Sequence, residues 1–549
     1  MNRAPFKPSQ QVDFVVIGSG AAGGVMAKEL ATAGFSVVAI EQGPYLRERD
    51  FKHDEFGVVY QSALVNDYKR QPNTARKNES EKAKPMPAVG YGRQVGGGSV
   101  HFTANYWRFH ESDFQERTLF GAVPGSTLED WPIRYADLEP YYTKAEYELG
   151  ISGASGSNPF DGPRSKPYPL PPMPNKSSGV LFERAAKKLG LHPFPAPMAI
   201  LSQPYRGRGA CVHCGFCEQF GCEMRAKSST LATVIPMAEK TGNCEIRAEA
   251  YVRKIEIDRN GRVTGAIYFD RARREMFQRA KAVIVCANGA ETPRLLLLSQ
   301  SSRFPQGLAN SSGLVGRNLM VDTWAFAYGL FEHPLNEFKG IQVTRVLHDF
   351  YEADPKRGFY GGAGIDGRFD YYPISFALEA LPPDAPKWGM GFKKTLAEYF
   401  TRTMTMEAHC SCLPVHTNSI SLDPEVKDAW GLPAIRVTYD SHPDDVKTTH
   451  FACDRMLELM DAAGARKTWS VPYGDVLPSV HLMGTCRMGH DPDKSVVNAD
   501  NRAHDVPNLF LVDGSSLVTC GRQQPTATIQ ALAYRAAERI TKMARDREI

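Results

Sequence analysis

The chain has 549 residues, of which 42% are hydrophobic and 23% charged, with a formal net charge of +4. That length is too great for one simple core, so two or more domains are expected, and the composition is ordinary for a soluble globular protein. The net charge argues neither for nor against a nucleic-acid partner, but no basic block or aromatic–basic interleaving offers a groove for one.

Met1 to Gln11 is polar and has no apolar signal-peptide core. No run of about 20 apolar residues is present to span a bilayer. The expectation is a chain with no export signal of its own, cytoplasmic, or periplasmic and membrane-associated only through a partner.

Val12 to Ile17 is an apolar run short enough for one buried strand. Gly18, Gly20 and Gly23 follow as G-x-G-x-x-G, and a helix-compatible run goes from Ala21 to near Gly34. Ser36 to Ile40 reads as a second buried strand, ending at Glu41. Each part has a physical task in holding a dinucleotide. The first glycine permits a tight turn, the second lets the backbone approach a pyrophosphate, and the third lets helix and strand pack closely. The helix N-terminus offers unpaired N–H groups to the phosphates. A carboxylate about 20 residues on accepts hydrogen bonds from a ribose diol.

Residues 42–90 are polar and irregular, and the charged stretch Arg70 to Lys84 reads as a surface excursion. Gly96, Gly97 and Gly98, followed by Ser99 and His101, form a backbone surface without side chains, flanked by apolar and aromatic residues. Residues 131–150 read as a short helix, and the proline-rich 158–175 as an extended connection.

Eleven cysteines occur, four of them as Cys211-x-x-Cys214-x-x-Cys217-x-x-x-x-Cys222. The distribution suggests one local site plus buried thiols, not a secreted disulfide framework. Four thiolates at such spacing can wrap zinc or an iron–sulfur cluster. Two disulfides or an empty, reduced loop are the alternatives.

Strands are expected at Cys244–Ile255, Val263–Phe269 and Ala282–Ala287, the last leading into a helix over Arg294–Ser299 with Pro293 in its first turn. Residues 320–440 alternate aromatic or β-branched with polar residues, an antiparallel pattern. A helix should run from Pro443 to Gly464. Asn508–Val512 reads as a buried strand ending in Asp513-Gly514-Ser515. Ile529, Leu532, Ala533, Ala536, Ile540 and Met543 give the last helix one apolar face. The class is therefore α/β, with a discontinuous nucleotide-binding domain and an inserted sheet-rich domain. The expected divisions are 1–130, 131–225, 226–320, 321–470 and 471–549.

Five segments resemble the glucose–methanol–choline (GMC) oxidoreductases: the fingerprint with Glu41, the Gly96–Ser99 loop, Gly289–Pro293, Val315–Met320, and His481-Leu482-Met483-Gly484-Thr485 with Asp513–Ser515. The resemblance spans nearly the whole chain and is nearest to the catalytic subunits of bacterial sugar, glucoside and gluconate dehydrogenases. It implies a GMC fold, FAD as the dinucleotide, and oxidation of an alcohol to a carbonyl. It places Gly97, Gly98, Ser99, Val252, Asp513, Gly514 and Pro525 against FAD, with Val252 on the adenine side and Asp513 and Gly514 near the flavin end.

His481 is where the family's proton acceptor stands, and an imidazole suits that role near neutral pH. The family's second catalytic position, a His or Asn, falls on Gln524, or on Gln523 if the register shifts by one. Glutamine orients an alcohol but is no base. His490 lies outside the motif and reads as structural. His101 stands where some members link FAD covalently to a histidine; the alternative is a histidine that packs on the dimethylbenzene edge of the flavin. The cysteine-rich insert resembles one that holds a [3Fe-4S] cluster in membrane-associated sugar dehydrogenases, which implies electrons leaving to a small accessory subunit, a cytochrome c or a quinone. The expected activity is thus a dehydrogenase of a sugar, glucoside or sugar acid. An O₂-using oxidase with a structural cysteine loop, or a non-catalytic flavoprotein scaffold, are the rivals.

Overall fold

The computed structural model describes residues 6–471 and 479–549. The opening stretch folds as its pattern requires, into β1 (Val12–Ile17), α1 (Ala21–Thr32) and β2 (Val37–Ile40). The two strands pair in parallel, with Phe14 opposite Val37. β1 takes a second parallel partner in Glu275–Val285, with Ile17 opposite Val285. Leu509–Leu511 pairs in parallel with that same strand, and Cys244–Arg247 with β2. One seven-stranded sheet therefore draws on the start, the middle and the end of the chain.

The strand Glu275–Val285 joins two styles of sheet. Its first half pairs antiparallel with Val263–Phe269 and alternates between exposed and buried residues, whereas Ala282–Val285 is continuously buried among parallel strands. A half-solvated ladder alternates and a strand covered on both faces does not.

Three local expectations are corrected. The single strand over Cys244–Ile255 is two, Cys244–Arg247 and Tyr251–Ile257. Between them Glu249 has a left-handed φ of 55°. The N–H groups of Glu249 and Ala250 donate to the carbonyls of Gly43 and Glu41, each at 2.9 Å, so the chain turns its corner against the end of β2. The helix expected from Arg294 spans Asn288–Leu298 instead, with Pro293 inside it. The charged stretch Arg70–Lys84 contains a strand, Asn73–Arg76, paired in parallel with Pro433–Thr438. Its Asn73, Thr74 and Ala75 are buried, in a four-stranded sheet that also holds Ser419–Lys427. The exposed charges that follow it mask three buried residues from a compositional reading.

A six-stranded antiparallel sheet runs in the order Lys467–Val471, Thr323–Leu330, Thr403–Cys410, Ala363–Arg368, Val343–Leu347, Phe194–Pro195. Its central strand Thr403–Cys410 is buried throughout. Helix Pro443–Ala462 packs Ala452, Met456, Leu459 and Met460 against Ala325, Ala327, Met404 and Met406 of this sheet. The last helix, Thr526–Arg545, lies on α1 and on Tyr135–Leu149. Among the described residues no helix is long and apolar enough to cross a membrane. The division expected between 470 and 471 abuts residues 472–478, which lie outside the described residues.

Candidate active site

The glycine fingerprint behaves as the sequence implies. Gly18 has φ +92°, and a Cβ there would meet the Cys286 carbonyl at 2.4 Å. A Cβ on Gly23 would stand 2.0 Å from the Gly18 carbonyl, so this glycine sets the helix–strand approach. Gly20 faces the second glycine loop, where a Cβ on Gly97 would meet the Gly20 Cα at 2.7 Å. Ser19 ties the two loops together. Its hydroxyl donates to Glu41 Oε2 at 2.8 Å and accepts from the Gly96 N–H at 3.1 Å. Glu41 also accepts from the N–H of Ser19 and of Gly43, both at 3.1 Å, and burial pushes its carboxyl above the usual range. Ser99 closes the turn by donating to the Gly96 carbonyl at 2.7 Å, and Gly98 is left exposed.

His101 follows directly. Its Nε2 is buried with no hydrogen-bond partner among the described residues. Burial, aided by the Lys227 charge, pushes its pKa down to about 4, so the ring is neutral at physiological pH.

The C-terminal motifs meet just beyond the end of Glu275–Val285, at the start of the helix Asn288–Leu298. Asp513 accepts from the Asn288 N–H at 3.1 Å and the Thr292 hydroxyl at 2.6 Å. The Gly484 N–H donates to the Gly514 carbonyl at 3.1 Å. A Cβ on Gly289 or Gly514 would strike the Leu482 carbonyl, at 2.1 and 2.6 Å. Pro293 has no N–H to give the carbonyl four residues back, that of Gly289. The Thr485 hydroxyl takes that carbonyl at 2.7 Å. Thus the threonine of the H-x-x-G-T motif repairs the helix that the proline interrupts.

His481 is placed by strand register. Met320–Val321 pairs antiparallel with Leu482–Met483, Val321 opposite Leu482. The next pair in that register is Asp322 with His481, and His481 Nδ1 lies 3.0 Å from Asp322 Oδ2. The same oxygen is 2.9 Å from His409 Nδ1. His409 comes from the buried central strand and is flanked by Trp324 and Gly364 in the neighbouring strands. The ring of His481 is 20% exposed, while Asp322 and His409 are buried. Burial opposes charge on Asp322, yet the two imidazoles hold its carboxyl below the ordinary value. Burial likewise opposes charge on His409, but Glu407 and Asp322 outweigh it and push the imidazole up to about 10. Arg368 binds Asp366 bidentately and reaches Glu407 and His409, closing a buried network behind the site.

Gln524 is buried and its side-chain amide nitrogen contacts His409 Nε2. Gln523 turns away and donates to the Arg108 carbonyl, so Gln524 is the residue brought to the histidines. The adjacent Arg522 anchors this turn on Asp113 at 2.8 Å and Glu116 at 2.5 Å, just before buried Pro525 opens the last helix. His490 is not part of the cluster. Sequence reasoning missed Asp322, His409, Glu407 and Arg368. A signal existed, since Glu407 and His409 interrupt an otherwise neutral strand and Asp322 stands two residues beyond the Val315–Met320 motif.

All eleven cysteines are unpaired thiols, so the disulfide alternative is not realised. Cys211, Cys214, Cys217 and Cys222 line one cavity together with Phe216 and Lys227. Burial pushes the thiol of Cys211 up to about 11 and that of Cys217 up to about 12. Among the described residues no three of the four sulfurs lie mutually within 4.8 Å. A tetrahedral zinc site with Zn–S near 2.3 Å needs its sulfurs about 3.8 Å apart. The loop is therefore wider than a mononuclear zinc site. It rests on the glycine-loop segment, where the Gln219 N–H donates to the His101 carbonyl at 2.6 Å.

A glycine cradle for a dinucleotide on the seven-stranded sheet, and a carboxylate-held imidazole beside a separate two-stranded ladder that abuts Gly289 and Gly514, are the parts of a dinucleotide-dependent oxidoreductase. Two family models, each described as GMC oxidoreductase, match residues 12–323 and 414–533, and the chain belongs to that family. It is 36% identical over 541 residues to a 2-methyl-1,2-propanediol dehydrogenase of Mycolicibacterium austroafricanum, covering 97% of this chain and 96% of the other. It is 30% identical to a gluconate 2-dehydrogenase flavoprotein of Pantoea cypripedii, covering 97% and 94%, and 30% identical to a fructose dehydrogenase large subunit of Gluconobacter japonicus, covering 96% and 97%. A formate oxidase variant from Aspergillus oryzae RIB40 shares the fold with a TM-score of 0.69 at 15% identity, covering 98% of this chain and 99% of that one.

The family implies FAD as the dinucleotide. The residues fit it: Gly20 leaves its surroundings open apart from Gly97, Glu41 ends β2, and His101 keeps an unpartnered buried nitrogen. Val252 lies half-buried in Tyr251–Ile257, just past the corner that meets Glu41.

Proposed function

We propose that the chain is an FAD-dependent dehydrogenase that oxidises a hydroxyl of a sugar, glucoside or sugar acid to a carbonyl. FAD, when bound, supplies the hydride acceptor at its N5. The observation that carries the proposal is the Asp322–His481 hydrogen bond. A carboxylate on Nδ1 fixes the imidazole as the tautomer with Nδ1–H, which leaves Nε2 free to take a proton. His481 is the partly exposed member of the cluster and so the one a substrate hydroxyl reaches. Asp322 stabilises the imidazolium that results. Gln524 orients the alcohol oxygen through its amide, and the buried His409 holds Asp322 from behind. The names of the gluconate and fructose relatives support a sugar or sugar-acid substrate, and that of the propanediol relative extends the class to small vicinal diols.

Electrons leave through the cysteine loop. Cys211, Cys214, Cys217 and Cys222 would hold an iron–sulfur cluster, three of them sufficing for [3Fe-4S]. Support comes from their shared cavity and from the seat of the same loop on the His101 segment through the Gln219–His101 hydrogen bond. The acceptor is a small partner subunit, a cytochrome c or a quinone, and a relative named as a large subunit fits such an assembly. His101 is the residue for a covalent bond to the flavin.

Anaerobic mixing with a panel of sugars, sugar acids and vicinal diols tests the activity. Bleaching of the flavin absorbance by one member is the expected result; no bleaching by any of them overturns the substrate class. Iron and acid-labile sulfide per chain test the electron route.

A further inference from the structure

Lys227 is buried, and the three protons of its ammonium go to three carbonyls: Phe102 at 3.0 Å, Cys217 at 2.5 Å and Phe220 at 2.7 Å. Among the described residues it has no carboxylate at ion-pair distance. The nearby Glu218 carboxylate instead accepts from the Thr103 hydroxyl at 2.7 Å. Carbonyls satisfy the hydrogen bonds of an ammonium but leave its charge unbalanced, and an unpaired buried charge is costly. Beyond Glu218, the groups around it that could carry negative charge are the sulfurs of Cys211, Cys214, Cys217 and Cys222, as thiolates on a bound metal group, because all four line the same cavity as Lys227. Its other side meets the Phe102 carbonyl, one residue from His101.

We propose that Lys227 is the fixed counter-charge of the iron–sulfur group at Cys211–Cys222, and that it sets the energy at which an electron enters that group from the flavin side. The proposal rests on the cluster reading given above. The two electrons that a bound FAD would receive with the hydride would pass one at a time through the cluster, each lowering its formal charge by one until the external one-electron acceptor removes it. No further reductant is required. A positive charge behind the sulfurs favours the more negative state, and the low dielectric of a buried site strengthens the effect. Lys227 is thereby a positioning and tuning residue, since it touches the carbonyl of one ligand and none of the reacting atoms.

The alternative is a strut that merely ties two loops through three carbonyls. Lys227→Met and Lys227→Arg in the FAD-loaded, iron-loaded protein separate the two. Iron and labile sulfide in the unmodified protein are measured first. Their absence would overturn the cluster reading itself, and this inference with it. With iron present, the midpoint of the cluster's EPR signal is followed in a redox titration. K227M should keep its iron and shift the midpoint downward by at least a tenfold change in the one-electron equilibrium, ~59 mV. K227R should restore most of that shift, while anaerobic flavin bleaching by substrate stays unchanged in both. An unshifted midpoint in iron-replete K227M overturns the proposal. Should K227M lose its iron, retention by K227R supports a requirement for charge, and equal loss from both variants leaves the strut as the answer.

Discussion

His481, Asp322 and His409 share one carboxylate oxygen, and that sharing divides their roles. In the proposed mechanism the proton goes to His481, which is partly open to solvent, and not to His409, which is sealed from substrate. His481→Ala should leave FAD bound and lower turnover by roughly 10²–10⁴-fold, the worth of a positioned base; near-normal turnover would remove it from the mechanism. Gln524→Ala should cost less, because an amide orients but does not accept a proton, and a loss exceeding that of His481→Ala would reverse the two roles. His409 carries a pH signature. Its folded pKa is raised to about 10 from an ordinary value near 6.5. The stability it contributes is fully present below about pH 6.5 and fades as pH rises through 10. Denaturant unfolding of the wild type and of His409→Gln should therefore converge with rising pH, and a constant gap would show that the imidazole is not charged in the fold. His481 was legible because its motif is local in sequence. Asp322 and His409 were not, because strand register alone brings residues 159 and 72 positions away to it.

At the scale of elements, the Pro293 helix and the H-x-x-G-T turn form one unit, since the Thr485 hydroxyl occupies the carbonyl that proline leaves open. Thr485→Val keeps the shape and removes the donor. It should cost about 1–3 kcal/mol, the penalty for an unpaired buried acceptor, read as a lower denaturation midpoint; an unchanged midpoint would mean that another donor reaches Gly289. The glycine loop carries a second test. Its His101 keeps a neutral, unpartnered Nε2. Denatured, precipitated protein should stay yellow, and complete release of the flavin would make His101 a packing residue. The strands of the βαβ unit were legible because period and glycine spacing agree over a short stretch. The start of the helix at Asn288 was not, because Pro293 is a helix-start signal unless a distant side chain compensates for it. The strand Asn73–Arg76 was hidden because three buried residues carry too little pattern against charged surroundings.

At the scale of the whole molecule, the discontinuous architecture was readable from the return of buried α/β strands after the alternating region. The pairing of Phe194–Pro195 with the six-stranded sheet was not, since two residues leave no periodicity. The order in which these pieces become available has its own consequence. β1 waits for its second neighbour until residue 280 has been made, and Leu509–Leu511 joins that neighbour near the end of translation. At about 5–20 residues per second, synthesis of the chain takes roughly half a minute to two minutes. Until residue 244 is made β1 and β2 each have an unpaired apolar edge, and that of β1 stays open until residue 280, with only α1 packed over them. Pairing across such separations is intrinsically slow. The nascent chain is thus a natural client for chaperones that shield strand edges, and its yield on overexpression should depend on them more than its final stability suggests.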